Sequence, residues 1–446
     1  MKKVLLFVSA FFLWHPLYAA IDLIHVFQLG LANDPTYQQV VAETLANHEN
    51  IAINRANLLP NLSFKGRPQQ DKMHFTGSQV RSGIVPPANN LRALDMKLSL
   101  SQTIFNFAQF AQLAEAECSA KQANARLNAS MQDLMFRVSQ AYFNIVTDEE
   151  DLLYFKKNRD VLAAELNETK KMYAAGSKTP IDVYTAESAY GSAEAGYIDA
   201  ETKLATDKEF LSTITGVEIK QVAKLKETIP LISPDPQDIN AWVHKAQTQN
   251  WTIQANRFAL SVAKQTIKEQ FAGHLPTIDA QLNYDVLATN STASSLLYSA
   301  GASKTRDAGV LLNINVPLFS GGAVVSQTRQ AKYNYRVAQQ QLEAAVRHAT
   351  FNAQQSYLNV IASIRKITND RLTIKSAASS LYGQQERYKA GEATLIDVFT
   401  EQNKVIQSEM QYTANKKTYI INLLALKNAA GTLSVSDLEA INQWLV

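Results

Sequence analysis

The chain has 446 residues, 46% of them hydrophobic and 19% charged, and its 43 Lys and Arg against 40 Asp and Glu give a formal charge of +3. Ordinary hydrophobic content excludes a disordered or collagen-like chain. A single cysteine, Cys118, excludes a disulfide framework or a Cys-rich zinc site, and the near-balance of charge offers no clustered basic face for nucleic acid.

Lys2 and Lys3 precede an apolar run from Val4 to Trp14, and Leu17-Tyr18-Ala19 supplies a small residue before a cut. This pattern predicts a secretory signal peptide over 1–19. The apolar stretch falls short of the ~20 residues that a spanning helix needs. Ala20 rather than Cys follows the cut, so no lipid-anchored lipoprotein is implied. No later segment holds eighteen apolar residues in a row, so helices do not carry the mature chain across a membrane.

A helical pattern is predicted from about Asp22 to Leu58, and then the periodicity switches to two. Leu94, Met96, Leu98 and Leu100 alternate with Asp95, Lys97, Ser99 and Ser101, which puts greasy and polar side chains on opposite faces of a strand. Strands are expected near 61–70 and 93–105. From Asn106 to Gly176 the chain reads as one helix, with no Gly or Pro between Ala88 and Ala175. At 1.5 Å per residue it forms a rod of roughly 100 Å. Its charged residues exclude a lipid setting, which leaves a coiled coil. A shorter helix, Ile181 to Thr215, follows. Pro230, Pro234 and Pro236 mark a linker over 229–236.

The same order then returns. A helix from Asp238 to Gly273 leads to strands expected near 276–288 and 308–319, where Val310, Leu312, Ile314 and Val316 alternate with Leu311, Asn313 and Asn315. A second rod runs from Gly322 to Gly391, and a last helix from Leu395 to Ala430. The residues repeat as well as the elements. Tyr173-Ala174-Ala175-Gly176-Ser177-Lys178-Thr179-Pro180-Ile181-Asp182-Val183 returns as Tyr388-Lys389-Ala390-Gly391-Glu392-Ala393-Thr394-Leu395-Ile396-Asp397-Val398. One duplicated unit therefore builds the chain: residues 20–228 and 237–433, joined by the linker and closed by a tail over 434–446.

A soluble sheet on a core would give the same alternation. Here the rest of the chain is committed to helices too long to cap a small sheet, and the strands have the ~10-residue length of an outer-membrane barrel. Lipid is therefore expected to replace the core. The connecting stretches, Gln69 to Arg92 and Leu287 to Asp307, are rich in Ser, Gly, Asn and Pro, as outward loops are. Four strands cannot close a barrel, because the smallest have eight. Two chains would supply eight strands and three would supply twelve.

This layout resembles the TolC family of outer-membrane efflux channels. The resemblance rests on the duplicated order, on Gly273 to Asp279 (GHLPTID), on Pro317 to Gly322 (PLFSGG), and on the two Tyr-x-x-Gly-x-x-Thr-x-x-Asp-Val turns. It implies a mainly α fold with a transmembrane β-barrel: a homotrimer whose twelve-stranded barrel is continued by a twelve-helix periplasmic tunnel, with a collar from the linker and the last residues. It also implies partners, namely outer-membrane lipid, a periplasmic adaptor or membrane fusion protein, and an inner-membrane RND or ABC transporter. The function implied is a passive exit duct of a tripartite efflux pump or type I secretion system in the outer membrane of a Gram-negative bacterium, passing drugs, toxic small molecules or proteins.

Mapped onto this chain, the adaptor-docking turns are Ala175, Gly176 and Ser177, and Ala390, Gly391 and Glu392. Tyr388 and Asp182 correspond to the entrance latch, and Asp397 to a constricting acidic ring. Two departures stand out: the basic latch residue falls at Ala393, and a second acidic ring falls at Thr400. Lys178, at the position equivalent to Ala393 in the first turn, is expected to take over the pairing, to Asp397 or Asp182. Three copies of Asp397 near a threefold axis repel one another and should take up protons or bind cations, a possible cation site in a chain with no other metal-ligand pattern. No phosphate loop, metal-spaced His/Cys set or nucleophile elbow appears, so neither an enzyme nor a cofactor is expected. Of the rival readings, a secreted coiled-coil fibre or adhesin leaves the amphipathic strands unexplained, and a stand-alone diffusion porin leaves most of the chain idle.

Overall fold

The computed structural model describes residues 20–74, 76, 80, 88–291 and 301–446. The expected leader over 1–19 and parts of the two connecting stretches lie outside them. The elements in order are helices α1 (Leu23–Asn33) and α2 (Pro35–Ala56), strands β1 (Asn61–His74) and β2 (Ala88–Phe105), helices α3 (Phe107–Ala174), α4 (Pro180–Thr215), α5 (Ile239–Gln249) and α6 (Trp251–Phe271), strands β3 (Thr277–Ser291) and β4 (Gly301–Asn315), then helices α7 (Ala323–Lys389), α8 (Leu395–Ala429) and α9 (Val435–Asn442). The two rods, α3 and α7, have 68 and 67 residues.

The helix expected from Asp22 to Leu58 is in fact two. Asp34 ends α1 in an extended conformation, and Pro35 has no N–H to give to the preceding turn. The Asp34 carboxylate then caps α2, accepting from Tyr37 N at 3.0 Å. Asp34 is 2% exposed and is neutralised by Arg137, whose Nη2 donates at 2.7 Å. The second repeat breaks in the corresponding place. Asn250 leaves α5 in an extended conformation, and its amide donates to Ala429 O at 3.0 Å, much as Asn33 donates to Thr215 O at 2.8 Å.

The chain divides into two compact units. One comprises Ala42–Arg126 and Thr252–Ala345 and holds an antiparallel sheet in the order β1-β2-β3-β4. Its register sets Phe64 opposite Leu98, Leu98 opposite Tyr284, and Leu282 opposite Val310, all on one face. Much of that face is exposed among the described residues: Phe64 is 67% exposed, Val310 79% and Ile314 61%, whereas Val286 is covered. The opposite face carries a row in which Lys65, Lys97, Asp285 and Asp307 stand side by side, with Lys97 and Asp285 paired at 3.6 Å. An apolar face of this extent on a folded domain marks a surface meant for another phase or partner.

The ladder runs further than the apolar alternation suggested. Residues 71–74, 88–92, 289–291 and 301–307 pair as strand, because backbone hydrogen bonds continue through polar residues beyond the greasy band. At the other end β4 stops at Asn315 rather than near Phe319. Pro317 removes a donor from the ladder there.

The second unit comprises residues 20–41, 127–251 and 346–446 among those described. Its core centres on Leu23, Leu134, Tyr142, Ile145, Leu211, Tyr419, Ile420 and Leu424, each fully buried. Three distant parts of the chain are stitched together beside it: Ile21 bridges Val222, and Leu225 bridges Leu445. Buried hydroxyls supply the missing polar partners. The Tyr142 hydroxyl lies 3.0 Å from Ala223 O, and that of Tyr419 accepts from Ile232 N at 2.6 Å. Trp444 stacks on Tyr419 with ring centroids 6.4 Å apart.

Candidate functional site: twin helical turns

Within the second unit, α3–α4 and α7–α8 are hairpins whose turns are built alike. Gly176 and Gly391 both have φ +79, a left-handed value that glycine adopts without a Cβ penalty. Around them run the same two reverse bonds, Gly176 N to Tyr173 O and Ser177 N to Met172 O, then Gly391 N to Tyr388 O and Glu392 N to Arg387 O, at 2.8–3.0 Å. These close the open carbonyls of a helix end. All six turn residues, Ala175, Gly176, Ser177, Ala390, Gly391 and Glu392, are exposed. A Cβ built at Gly176 or Gly391 would meet nothing within 4 Å, so the turns present open backbone.

Each outgoing helix begins with a capping box. Thr179 N donates to Asp182 Oδ2 at 2.9 Å, and Thr394 N to Asp397 Oδ2 at 2.8 Å. The threonine hydroxyls accept in return from the Asp182 and Asp397 amides, both at 3.3 Å. Sequence reading had missed both threonines as site residues. The Thr-x-x-Asp spacing inside each repeated turn was the signal for them. The backbone bond from Thr179, and then its hydroxyl, hold Asp182 below the usual carboxylate range. At Asp397 the hydroxyl of Thr394 comes first and its backbone second, with the same direction.

Within one chain both carboxylates are turned back onto their own caps, with the charge of Asp182 still acting on Lys178. Lys178 Nζ instead donates to the Tyr388 hydroxyl at 2.8 Å and stands 4.8 Å from the centre of that ring. This bond to Tyr388 raises the lysine's pKa. A residue of the first turn thus holds a residue at the end of α7. Arg387, also unanticipated, adds a contact from its Nη2 to Glu392 O at 3.4 Å.

Thr400 lies one turn beyond Asp397, and its hydroxyl is spent on Ile396 O at 2.8 Å. It lines a cleft of 590 Å³ between α3, α4 and α8, walled by Phe155, Tyr184 and Phe399 and crossed by a bond from Gln402 to Asn158 at 3.3 Å. Asp182, Lys178 and Tyr388 gather at the turns, whereas Thr400 is set back in this cleft. Among the described residues no three His, Cys, Asp or Glu side chains converge as metal ligands. Hydrogen-bonded turns, an amino-to-phenol tether and open backbone can dock and hold, but they offer no activated nucleophile or base.

The model of the outer membrane efflux protein family matches residues 26–217 and again 242–432, one match per repeat. The outer membrane protein TolC of Vibrio cholerae is 29% identical over all of this chain and 99% of its own length. TolC of Escherichia coli K12 is 28% identical over 95% of this chain and 85% of its own. In fold, the chain is similar to the outer membrane channel CmeC of Campylobacter jejuni, with a TM-score of 0.76 at 17% identity, covering 95% of this chain and 90% of that one. With both repeats matched and the sheet and twin hairpins in place, the chain belongs to the outer membrane efflux protein family.

Proposed function

We infer that the protein is the passive outer-membrane exit duct of an efflux pump or type I secretion system, closed at the twin turns until inner partners open it. The observation that carries this reading is the sheet of the first unit: one largely exposed apolar face, one polar face, and unpaired edges at β1 and β4. Such a sheet is incomplete alone. Three copies supply twelve strands, and closure removes every free edge. Lipid then covers Phe64, Leu98, Val310 and Ile314, and water fills the side lined by Lys97 and Asp285. Residues 20–228 and 237–433 act as the two repeats, 229–236 as their linker and 434–446 as part of a collar, with 1–19 removed as a leader.

At the turns, the exposed backbone at Gly176 and Gly391 receives the helical tips of a periplasmic adaptor, which links the duct to an RND or ABC transporter. Lys178 and Tyr388 form the latch between the hairpins, and Asp182 shapes its turn through the cap. Three copies of Asp397 form an acidic ring that favours cations, with Thr400 leaving the next layer uncharged. Deleting the gene should raise the cellular retention of an exported dye, and a plasmid copy should restore efflux. A copy with Gly176→Pro and Gly391→Pro that still reaches the outer membrane should not. Retention unchanged by the deletion, or full efflux through the disrupted turns, would overturn the reading.

A further inference from the structure

Away from the turns, α3, α4 and α8 meet around a cluster of charged groups that the exit-duct reading does not use. Asp148 of α3 is 1% exposed. Its Oδ1 is paired with Lys203 of α4, but its Oδ2 is buried with no hydrogen-bond donor. Asp207, one turn beyond Lys203, lies within hydrogen-bond reach of the Asp148 carboxyl. Two ionised carboxylates cannot bond to each other, since neither has a hydrogen to give. A proton on Asp148 supplies the missing donor.

The neighbouring groups do not fill that role. On α3, Glu149 is engaged by Lys208 at 3.1 Å. Glu150 is engaged by Thr413 at 2.8 Å and by Lys416 at 3.6 Å. Asp151 faces Lys203 and Lys417, with Glu150 beside it, and leaves its own Oδ1 unpartnered. Lys417 of α8 feels Lys203 together with Asp148, Asp151 and Asp207. With every group ionised, three carboxylates face two ammonium groups, leaving one negative charge in excess. A single proton balances the cluster.

We propose that Asp148, with Asp207 beside it, takes up one proton from solvent where α3 packs on α4, so that this junction tightens in mild acid. Burial first, and then the bond to Asp207, push Asp148 up to about 6, against the pull of Lys203. Because this folded value lies above that of an unfolded aspartate, ~3.9, the native state binds more protons than the unfolded chain between these two values. The stabilisation therefore grows as pH falls from 7 through 6 and is complete near 4. It is absent at neutral pH. The pair lies in the two helices of the α3–α4 hairpin, so an acid periplasm would brace the hairpin that carries the Gly176 turn.

Infrared titration of the full-length protein in detergent, with aspartate carboxyls labelled by carbon-13, tests this directly. A protonated aspartyl carbonyl band should grow in with a midpoint near pH 6. It should vanish in Asp148→Asn, move to lower pH in Asp207→Asn, where burial still acts, and survive in Asp151→Asn. The wild-type thermal midpoint should rise between pH 7 and 5, and that of Asp148→Asn should rise less, the remainder coming from Asp151, Glu115 and Glu409, which burial also raises. The isotope shift separates aspartyl bands from Glu115 and Glu409, which burial also raises. Absence of an aspartyl band above pH 5 in the wild type would overturn the proposal even if both variants failed to fold. So would a band that survives in Asp148→Asn or is lost in Asp151→Asn alone.

Discussion

Lys178 and Tyr388 stand 210 positions apart and meet amino group to hydroxyl at 2.8 Å. Equivalent turns of the two repeats are thus joined by residues that are not themselves equivalent. The first repeat offers the base, and the second offers the phenol at the end of its rod. Duplication made two like hairpins, and divergence made this contact at their turns.

This contact should limit opening. Both groups are partly exposed, so the bond is worth only about 0.5–1 kcal/mol. Lys178→Ala should shift the closed–open balance roughly two- to fivefold for each copy, read as higher single-channel conductance in planar bilayers. Tyr388→Phe keeps the ring beside the ammonium and should shift it less. Equal conductance in wild type and Lys178→Ala would remove the latch from the account.

The two capping boxes set a different pH window from buried Asp148. Asp182 and Asp397 are held below the usual carboxylate value by their threonines. Their contribution is fully present above the unfolded value of about 3.9 and is lost as pH falls through the lower folded value. Acidification from pH 7 to 5 should leave the protection of the amides at Ile181–Val183 and Ile396–Val398, taken relative to an unfolded chain at the same pH, unchanged. Thr179→Ala or Thr394→Ala should speed it at neutral pH by removing a cap worth about 1 kcal/mol.

Two left-handed glycines should respond differently to alanine. Gly176 has φ +79 and open space around it, so Gly176→Ala incurs backbone strain alone, about 1 kcal/mol. Gly431 has φ +74, and its new Cβ would come within 2.5 Å of the Gln249 carbonyl oxygen, a backbone atom that cannot swing away. Gly431→Ala should lower the thermal midpoint far more than Gly176→Ala. Similar midpoints would show that the second unit is loosely packed around the end of α8.

Much of this architecture could be read from residue order because its signals are local. Rods bounded by Gly176 and Gly391, alternation at Leu94 to Leu100, and the repeated turns each declare themselves within a few residues. What could not be read depends on distant parts meeting. The run Asp148-Glu149-Glu150-Asp151 looks like a solvated face of a helix, and only the packing of α4 and α8 buries its first member. Lys178 has two nearby acids in sequence, so an ion pair was the natural expectation, yet both acids are committed to their own helix starts. The break at Asp34-Pro35 was legible in principle, since proline opening a helix after an aspartate is a start signal.

The account rests on the sheet being a wall between lipid and water. Nitroxide labels placed singly at positions 97 and 98, in a Cys118→Ser background, measure this in proteoliposomes through relaxation by oxygen and by a water-soluble nickel chelate. The label at 98 should respond to oxygen and be shielded from nickel, and the label at 97 should show the reverse. Equal nickel access at both positions, or protein that stays dispersed without detergent and never enters the vesicles, would contradict it.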